Sequence, residues 1–214
     1  MEFTNLKGSA VVTAIIEAVC ANRDYLSQID AALGDGDHGI NMSKGFFIAG
    51  EELSMRDADM SEGFLTIGKV LVGKIGGSMG PLYGSFFIGL AAASKAETVI
   101  NATVMLNMLK KAYEQTALLT SASVGDKTLI DVLDPAVKAY EEAAVRGGNL
   151  EACLSHMLAA AKEGLEGTKA MAAKVGRGSR LGDRAIGHQD AGATSCYIIL
   201  EAMAEASLRL AKAG

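Results

Sequence analysis

Hydrophobic side chains recur at intervals of three and four residues along most of this chain. The first stretch with this spacing comprises Leu6, Ala10, Val11, Ala14, Ile15, Ala18 and Val19. Such a spacing places the side chains on one face of an α-helix. A second apolar face covers 64–75, with Ser61 as its expected N-cap, and a third covers 129–140. We expect the third helix to start or to kink near Pro135, because proline lacks the amide hydrogen that a helix interior needs.

The C-terminal half of the chain shows two more apolar faces of the same kind. An alanine-rich stretch runs from Asn149 to about residue 174, directly after Gly147 and Gly148, and Asn149 is a good N-cap. The last face covers about 194–212. Period-two alternation is scarce, and the chain shows no internal repeat. The pattern predicts seven to nine helices in a single all-α domain over residues 1–214.

The composition limits the classes of partner. The chain has 214 residues and a net charge of −5, and its Lys and Arg residues are scattered. A nucleic-acid-binding surface is usually basic, so we expect no nucleic-acid partner. The apolar stretches fall short of the roughly 20 residues needed to span a bilayer, and the N-terminus lacks the pattern of a signal peptide. Cys20, Cys153 and Cys196 are far apart in the sequence and suit buried thiols in a reducing compartment. Together these features predict a cytoplasmic protein without membrane attachment.

The glycines are unevenly distributed. Of the 25 glycines, thirteen fall into three clusters, at 34–39, 73–84 and 176–192. Glycine in a helix interior costs roughly 1 kcal/mol relative to alanine, so such clusters mark loops where the backbone turns sharply or approaches a ligand. Polar residues lie between these glycines, which close helix packing would not require. We therefore expect the three loops to form the functional site.

The first cluster lies in the sequence DAALGDGDHGIN, which begins at Asp30 and also holds Asp35, Asp37 and His38. Carboxylates this close repel one another, so they require a metal ion, a shared proton or full solvation. Carboxylate oxygens without a nearby thiol suit Mg²⁺ or Ca²⁺ rather than zinc. A calcium-binding EF-hand needs a glutamate at the twelfth position, where Asn41 stands. A Mg²⁺ site with open positions fits best. A solvated acidic turn and the D-x-D pair of an aspartate-nucleophile phosphatase are the alternatives.

The second cluster reads GGSMGPLYG over 76–84. Successive glycines let backbone N–H groups point at one anion, and Pro81 is well placed to open a helix whose N-terminus attracts phosphate. A simple turn between helices is the alternative. The nearby Gly68 to Lys74 imitates a P-loop, but Ile75 stands where that motif needs serine or threonine.

The third cluster reads GRGSRLGDRAIGHQDAGATS over 176–195. Its arginines suit phosphate oxygens, which a guanidinium binds with paired N–H groups, and Asp190 to Gly192 is placed to close over a nucleotide. A charged surface loop is the alternative. A shorter motif, GDKTLID over 125–131, is expected to start a helix with Asp126 as its N-cap and Leu129 as an apolar lining residue.

Four motifs occur in a fixed order within residues 30–195: GDGDHGINM, GGSMGPLYG, GDKTLIDVLDP and GRGSRLGDRAIGHQDAGATS. Together they closely resemble the nucleotide-binding L subunits of dihydroxyacetone kinases and the homologous C-terminal domain of the single-chain, ATP-dependent enzymes. The resemblance implies an all-α barrel of about eight antiparallel helices, with the nucleotide site in the loops at one end.

The resemblance also implies which residues form the site. The positions of Asp30, Asp35 and Asp37 hold two Mg²⁺ ions in that family, and with His38 they form the catalytic group. The residues expected at the phosphates of bound ADP or ATP are His38, Gly39, Asn41, Gly77, Ser78 and Met79. The residues expected around the base and sugar, or completing the pocket, are Thr120, Leu129, Arg177, Asp190, Ala191 and Gly192. The chain departs from the usual family pattern at Ser78–Met79, where a small residue and serine are common, and at Ala191, where proline is common.

The function that the resemblance implies is that of a kinase subunit for dihydroxyacetone or another short-chain ketose. A partner K subunit would hold the sugar covalently through a histidine, and a phosphohistidine on an M subunit of the phosphotransferase system would rephosphorylate the bound ADP. Exchange of ADP for ATP is the alternative. A homodimer or a heteromeric complex is expected. A non-catalytic nucleotide-sensing module and a Mg²⁺-dependent phosphohydrolase are the competing hypotheses.

Overall fold

The computed structural model describes residues 1–213, except for the side chain of Arg177. Nearly all regular structure in this part of the chain is helical, which confirms the predicted all-α class. Its nine α-helices are α1 (Ser9–Ala21), α2 (Arg23–Ala31), α3 (Asp37–Ser54), α4 (Met60–Lys74), α5 (Met79–Ser94), α6 (Ala102–Ala117), α7 (Ile130–Val145), α8 (Leu150–Gly167) and α9 (Ala191–Ala213). Two 3₁₀ segments, Thr168–Ala170 and Arg177–Ala185, lie between α8 and α9.

One short β-ladder accompanies the helices. Strand β1 (Phe3–Thr4) pairs in antiparallel fashion with β2 (Val99–Ile100), so that Phe3 lies opposite Ile100. Both of these side chains are buried. The ladder therefore fixes the N-terminal residues against the segment that leads into α6.

Side-chain caps fix where α4 and α8 begin. Asn149 Oδ1 accepts a hydrogen bond from the first turn of α8, as predicted, although this helix ends at Gly167 and not near residue 174. The predicted cap of α4 is wrong. Asp59 and Glu62 form a reciprocal capping box there, each side chain accepting from the backbone N–H of the other. Ser61 is buried in a polar cluster instead.

Helix α7 begins well before its proline. It starts at Ile130, so Pro135 lies in the second turn and not at the start. Proline has no N–H with which to close the helical bond to the carbonyl oxygen of Asp131. Gly164 of α8 packs directly against this carbonyl group, where a side chain would overlap it. The proline and the glycine together let α7 and α8 lie close to each other.

The helices contact one another in a closed cycle. Helices α3 to α9 each pack against the next, α9 packs against α1, and α1 packs against α3. Helix α2 lies beside this cycle, on α3 and α9. Apolar side chains fill the interior, and Phe87 makes ring contacts there with Phe46, Phe64 and Phe86. Eight helices take part in this cycle, the number predicted for the barrel, and the barrel itself stays a prediction.

The length and apolar character of the helices determine whether any of them could cross a membrane. None of those within residues 1–213 combines the length and the apolar character needed to cross a bilayer.

Candidate functional site

A cleft of about 590 Å³ lies where the connections that precede α3, α5, α7 and α9 meet. Twelve of the residues predicted for the site line it, namely Asp30, Asp37, His38, Asn41, Gly77, Ser78, Met79, Thr120, Leu129, Asp190, Ala191 and Gly192. Asp35 and Gly39, which were also predicted, are not among the lining residues. The Arg177 side chain lies outside the described part of the chain. The fold thus brings residues of all four sequence motifs to one place.

The acidic turn between α2 and α3 presents two carboxylates to the cleft. Asp30 Oδ2 accepts a hydrogen bond from the backbone N–H of His38 over 3.2 Å. Gly36 lies between them with a φ of +79°, a left-handed conformation that glycine adopts without strain. The Oδ1 atom of Asp35 accepts a hydrogen bond from the N–H of Asp37 over 3.4 Å. These contacts fold the turn so that Asp30 and Asp37 both line the cleft.

The donor set suits a hard cation that is shared with a ligand. In residues 1–213, no group of three or more His, Cys, Asp or Glu side chains is close enough to hold a metal ion by itself. Mg²⁺ does not need such a group, because it is usually bound by one or two carboxylates together with water and phosphate oxygens. Asp30 and Asp37 provide two carboxylates, and no cysteine lines the cleft. The residues present therefore fit Mg²⁺ better than zinc.

Gly39 sets the distance between the two helices that carry these carboxylates. It lies in the first turn of α3 and faces α2. A β-carbon at this position would overlap the carbonyl oxygen of Arg23 and would lie 2.6 Å from both N and Oγ of Ser27. Non-bonded atoms in a close-packed interior do not approach one another this closely, so the contact between α2 and α3 requires glycine at this position. The structure thus gives Gly39 a packing role beneath the site.

The glycine-rich loop leads directly into α5. Gly77 has a φ of +72°, and Ser78, in the N-cap position, makes no side-chain capping bond. The N–H groups in the first turn of α5 therefore have no capping side chain, and Pro81 in the same turn has no N–H that needs one. Gly77, Ser78 and Met79 line the cleft, which places the positive end of the α5 dipole there. This arrangement favours an anion.

A buried hydrogen-bond network joins α3, α5 and α9. His38 Nε2 lies 2.8 Å from Ser195 Oγ, which lies 2.6 Å from the Tyr83 hydroxyl. The Tyr83 hydroxyl also donates to the carbonyl oxygen of Gly192 over 2.7 Å. Burial lowers the pKa of His38 to about 4, and the negative charge of Asp30 opposes this shift. The ring is therefore neutral near pH 7.

Lys127 was not among the residues predicted from the sequence. It is buried and lines the cleft, and its Nζ donates to the carbonyl oxygens of Thr168 (2.6 Å) and His188 (2.5 Å). Its φ of +63° is the only positive value at a non-glycine residue in the described chain. Such a conformation persists only where the surroundings hold it. Burial lowers the pKa of the Lys127 ammonium group, while Asp190 and Asp131 raise it.

The GDKTLID motif is organised by Asp131 and not by Asp126. The Asp131 carboxylate accepts hydrogen bonds from the N–H groups of Gly125 (2.5 Å) and Thr128 (2.7 Å). Asp126, the predicted cap, accepts a hydrogen bond outside the helix instead, and Leu129 occupies the N-cap position of α7. The helix-cap prediction for Asp126 is therefore wrong. Leu129 lines the cleft, as the sequence predicted.

Asp190 caps the N-terminus of α9 at the edge of the cleft. Its Oδ2 accepts a hydrogen bond from the Ala193 N–H over 2.7 Å. Burial raises the pKa of Asp190 to about 6, and Asp131 and Asp30 add to this rise. The hydrogen bond from Ala193 and the charge of Lys127 act in the opposite direction. The carboxyl group therefore titrates well above the range usual for aspartate.

Tyr83 and Ser195 also escaped prediction, although both lie inside the quoted motifs. Tyr83 follows Pro81 in the glycine-rich motif, and Ser195 closes the third motif. The one indication of their role in the sequence was a hydroxyl side chain close to a predicted phosphate-binding loop. This indication is weak, because only the fold brings the two hydroxyls to His38.

The comparisons with known proteins place this chain in a family. Residues 32–205 match the family model of the DAK2 domain. The chain belongs to the DAK2 domain family. The resemblance inferred from the four motifs is confirmed at this level.

Two curated relatives of this DAK2 protein match it over most of their length. One is the ADP-binding subunit DhaL of PEP-dependent dihydroxyacetone kinase 1 from Listeria innocua, 36% identical over 188 residues, which are 87% of this chain and 89% of the relative. The other is the ADP-binding subunit DhaL of the PEP-dependent dihydroxyacetone kinase from Escherichia coli, 34% identical over 185 residues, or 86% and 88% of the two chains.

A solved structure shows the same arrangement of helices. The dihydroxyacetone kinase from C. freundii, in complex with AMP-PNP and Mg²⁺, matches this DAK2 protein with a TM-score of 0.66 and 25% identity. The match covers 94% of this chain and 33% of that one. The present chain therefore spans about a third of the length of that kinase.

Proposed function

We propose that this chain is the nucleotide-binding subunit of a kinase for dihydroxyacetone or another short-chain ketose. ADP or ATP lies in the cleft together with Mg²⁺, and the terminal phosphoryl group passes to a sugar held by a partner K subunit. The observation that carries the proposal is one cleft that combines the two carboxylates of the acidic turn, a glycine-rich helix N-terminus and an apolar wall. Phosphoryl transfer depends mainly on positioning and charge neutralisation, which such a set of groups supplies.

The phosphates belong at the junction of α3 and α5. Gly77, Ser78 and Met79 offer backbone N–H groups there, and Asn41 offers an amide on the facing helix. The positive end of the α5 dipole adds a favourable field for the negative charge. This part of the cleft therefore orients the diphosphate.

The cation belongs between these phosphates and the acidic turn. Asp30 and Asp37 reach the cleft, and Asp35 is the third proposed ligand, in line with the family resemblance. When bound, Mg²⁺ neutralises charge on the phosphate oxygens. Asp30, Asp35 and Asp37 are the residues that would hold the cation, which would supply this neutralisation.

The base and sugar belong against the remaining wall. Leu119, Leu129, Ala173 and Val175 provide apolar surface, and Thr120 provides a hydroxyl. Ligand pockets of this kind combine mostly apolar walls with a few placed polar groups. This composition suits a purine that stacks against aliphatic side chains.

The source of the phosphoryl group is the second part of the proposal. The L. innocua and E. coli relatives are named as ADP-binding subunits of PEP-dependent kinases. We therefore assign the rephosphorylation of bound ADP to a phosphohistidine M subunit of the phosphotransferase system, in the cytoplasm. Exchange of ADP for external ATP is the alternative donor route.

Nucleotide binding can be tested directly. Protein purified without added nucleotide is denatured, and the mass of the released small molecules is measured. Co-purified ADP supports the proposal. Titration calorimetry with ADP follows on nucleotide-free protein, in Mg²⁺ and in EDTA. Binding that requires Mg²⁺ supports the site, whereas the absence of ADP binding under both conditions overturns the proposal.

Phosphoryl transfer needs a separate test. The chain is mixed with a K subunit and dihydroxyacetone, and sugar phosphate is measured with either ATP or a phosphorylated M subunit as donor. Product formed only with the phosphorylated M subunit supports recharging of bound ADP. Product formed with ATP alone supports exchange, and no product with either donor argues for a nucleotide sensor.

A further inference from the structure

The contacts among Tyr83, Ser195 and His38 are short enough that each needs a bridging proton. The Tyr83 hydroxyl lies 2.7 Å from the Gly192 carbonyl oxygen and 2.6 Å from Ser195 Oγ. The Ser195 hydroxyl lies 2.8 Å from His38 Nε2. Polar atoms at these distances repel each other unless a hydrogen lies between them. Ser195 Oγ also lies 3.1 Å from the carbonyl oxygen of Ala191 and 3.2 Å from that of Gly192. These carbonyl oxygens can only accept, so they too would draw the Ser195 proton away from His38. The three shortest contacts are the ones that must each hold a hydrogen.

Only one assignment of protons fills all three. The Gly192 carbonyl has no hydrogen to give, so the single Tyr83 hydroxyl proton must point to it. The contact between Tyr83 and Ser195 must then hold the Ser195 proton. With that proton committed, the contact between Ser195 and His38 must hold a hydrogen on His38 Nε2. In a neutral imidazole the other ring nitrogen, Nδ1, is then an acceptor.

The remaining nitrogen is directed at the cleft. Within residues 1–213, Nδ1 of His38 makes no hydrogen bond to the protein, and it is not one of the buried polar atoms that lack a partner. It is therefore reached by solvent, and the cleft is the space that His38 lines. A lone pair at this position faces whatever occupies the cleft.

We propose that Tyr83 and Ser195 are positioning residues that fix His38 as the Nε2–H tautomer and present Nδ1 to the ligand as a hydrogen-bond acceptor. The nature of that ligand rests on the proposed function. An acceptor does not pair with a phosphate oxygen, which also carries only lone pairs at neutral pH. His38 instead receives a hydrogen bond from a hydroxyl group or from a water molecule held at the phosphates. This assignment differs from a direct contact between His38 and phosphate.

The tautomer can be measured without any ligand. The chain holds three histidines, so their ¹⁵N signals at pH 7.5 are few, and the variant His38→Gln identifies the one of interest. The expected result is Nε2–H for His38. His156 Nδ1 lies 2.8 Å from the carbonyl oxygen of Ala152, to which it must donate, so this histidine gives an internal reference for the opposite tautomer. A wild-type His38 that carries its proton on Nδ1 overturns the proposal.

Two variants test the role of the hydroxyls. Ser195→Ala removes the acceptor for Nε2–H, and we expect a mixture of tautomers, with a smaller change in Tyr83→Phe. Ser207→Ala is the matched control on the same helix, because its buried hydroxyl has no hydrogen-bond partner within the described part of the chain. Tyr140→Phe is the matched control for the tyrosine, because its buried hydroxyl bonds to Ala102 away from the cleft. Unchanged tautomers in both Ser195→Ala and Tyr83→Phe overturn the proposal.

Binding separates this inference from the proposed function. Calorimetry with ADP in Mg²⁺ should show roughly 3- to 10-fold weaker binding for Ser195→Ala and Tyr83→Phe, the loss expected for one hydrogen bond. Ser207→Ala and Tyr140→Phe should bind like the wild type. Failure of the wild type to bind ADP overturns the proposed function but leaves the tautomer measurement decisive. Wild-type affinity in both cleft variants overturns the positioning role alone.

Discussion

The backbone N–H of His38 donates a hydrogen bond to Oδ2 of Asp30 over 3.2 Å, which joins the first turn of α3 to the last turn of α2. The bond spans the turn that holds Asp35 and Asp37. Because both ends line the cleft, the same carboxylate that shapes the turn also contributes negative charge to the site. Asp30 therefore has a structural role and a proposed metal-binding role, and the two can be separated.

Asp30→Asn should preserve the fold and weaken nucleotide binding. The amide oxygen of asparagine still accepts from His38, but the side chain no longer attracts a cation. We expect Mg²⁺-dependent binding of ADP to weaken by roughly tenfold or more, about 1.4 kcal/mol, as measured by calorimetry. Asp24→Asn is the control, since the side chain of Asp24 lies on the same helix and is fully exposed. Equal ADP affinity in the two variants would show that Asp30 does not bind the cation.

Gly39→Ala should destabilise the protein through the contact between α2 and α3. The new methyl group would overlap the carbonyl oxygen of Arg23, so the helices must separate. Overpacking of this kind costs about 1–3 kcal/mol of the free energy of unfolding, measurable by urea denaturation. Gly73→Ala in α4 is the control, because, apart from the adjacent residues and the backbone of its own helix, no atom of the described chain lies within 4 Å of the added group. There alanine should stabilise the helix by up to about 1 kcal/mol. Equal free energies of unfolding in Gly39→Ala and Gly73→Ala would show that the packing of α2 against α3 does not require Gly39.

The helices and the parts of the site that are local in sequence were predictable. A 3.6-residue period is a property of each helix alone, so the apolar faces located most helices without tertiary information. The acidic turn and the glycine-rich loop are each one continuous stretch of sequence. Their residue types alone therefore predict which ligands they suit. Asn149 shows the same principle, because a cap acts within one turn of the chain.

The parts that depend on distant contacts were not predictable from one sequence. His38 and Ser195 are 157 residues apart in the chain, and Tyr83 and Ser195 are 112 apart. No local pattern relates such positions. Asp126 was mistaken for a helix cap because Asp131 offers the same carboxylate five residues later, and local chemistry does not choose between them. No feature of the sequence indicates that Lys127 lines the cleft, because the segments around it impose its left-handed backbone conformation.

Lys127→Met should destabilise the protein more than an exposed lysine does. The substitution leaves the carbonyl oxygens of Thr168 and His188 without their buried donor, and each unsatisfied group costs about 1–3 kcal/mol. We therefore expect a loss of about 2–4 kcal/mol in the free energy of unfolding, measured by urea denaturation. Lys174→Met is the control, because Lys174 is largely exposed and forms an ion pair with Asp126. Such a pair contributes about 1 kcal/mol or less. A similar loss in both variants would contradict the buried role of Lys127.

Asp190 should make the stability of the nucleotide-free protein fall as pH rises from about 4 to 6. Its pKa is raised to about 6 in the folded chain, so the folded state holds this proton in a pH range where the unfolded state has released it. Ionisation of Asp190 therefore lowers the free energy of unfolding above the pKa of the folded state. It has no effect below the pKa of the unfolded chain. The charged neighbours are Lys127, Asp131 and Asp30, which belong to the elements packed around the carboxyl group.

Asp190→Asn isolates this titration, because asparagine keeps an oxygen that accepts from Ala193 but carries no proton to lose. We expect the variant to gain stability relative to the wild type between pH 4 and pH 7, by less than about 3 kcal/mol, the equivalent of two pKa units. Urea denaturation across this range measures the difference between the two proteins, in which the titration of all other groups cancels to first order. A difference that is constant with pH would mean that Asp190 titrates alike in the folded and unfolded chains. A difference of the opposite sign would mean that Lys127 and the helix N-terminus outweigh burial and hold the carboxylate ionised.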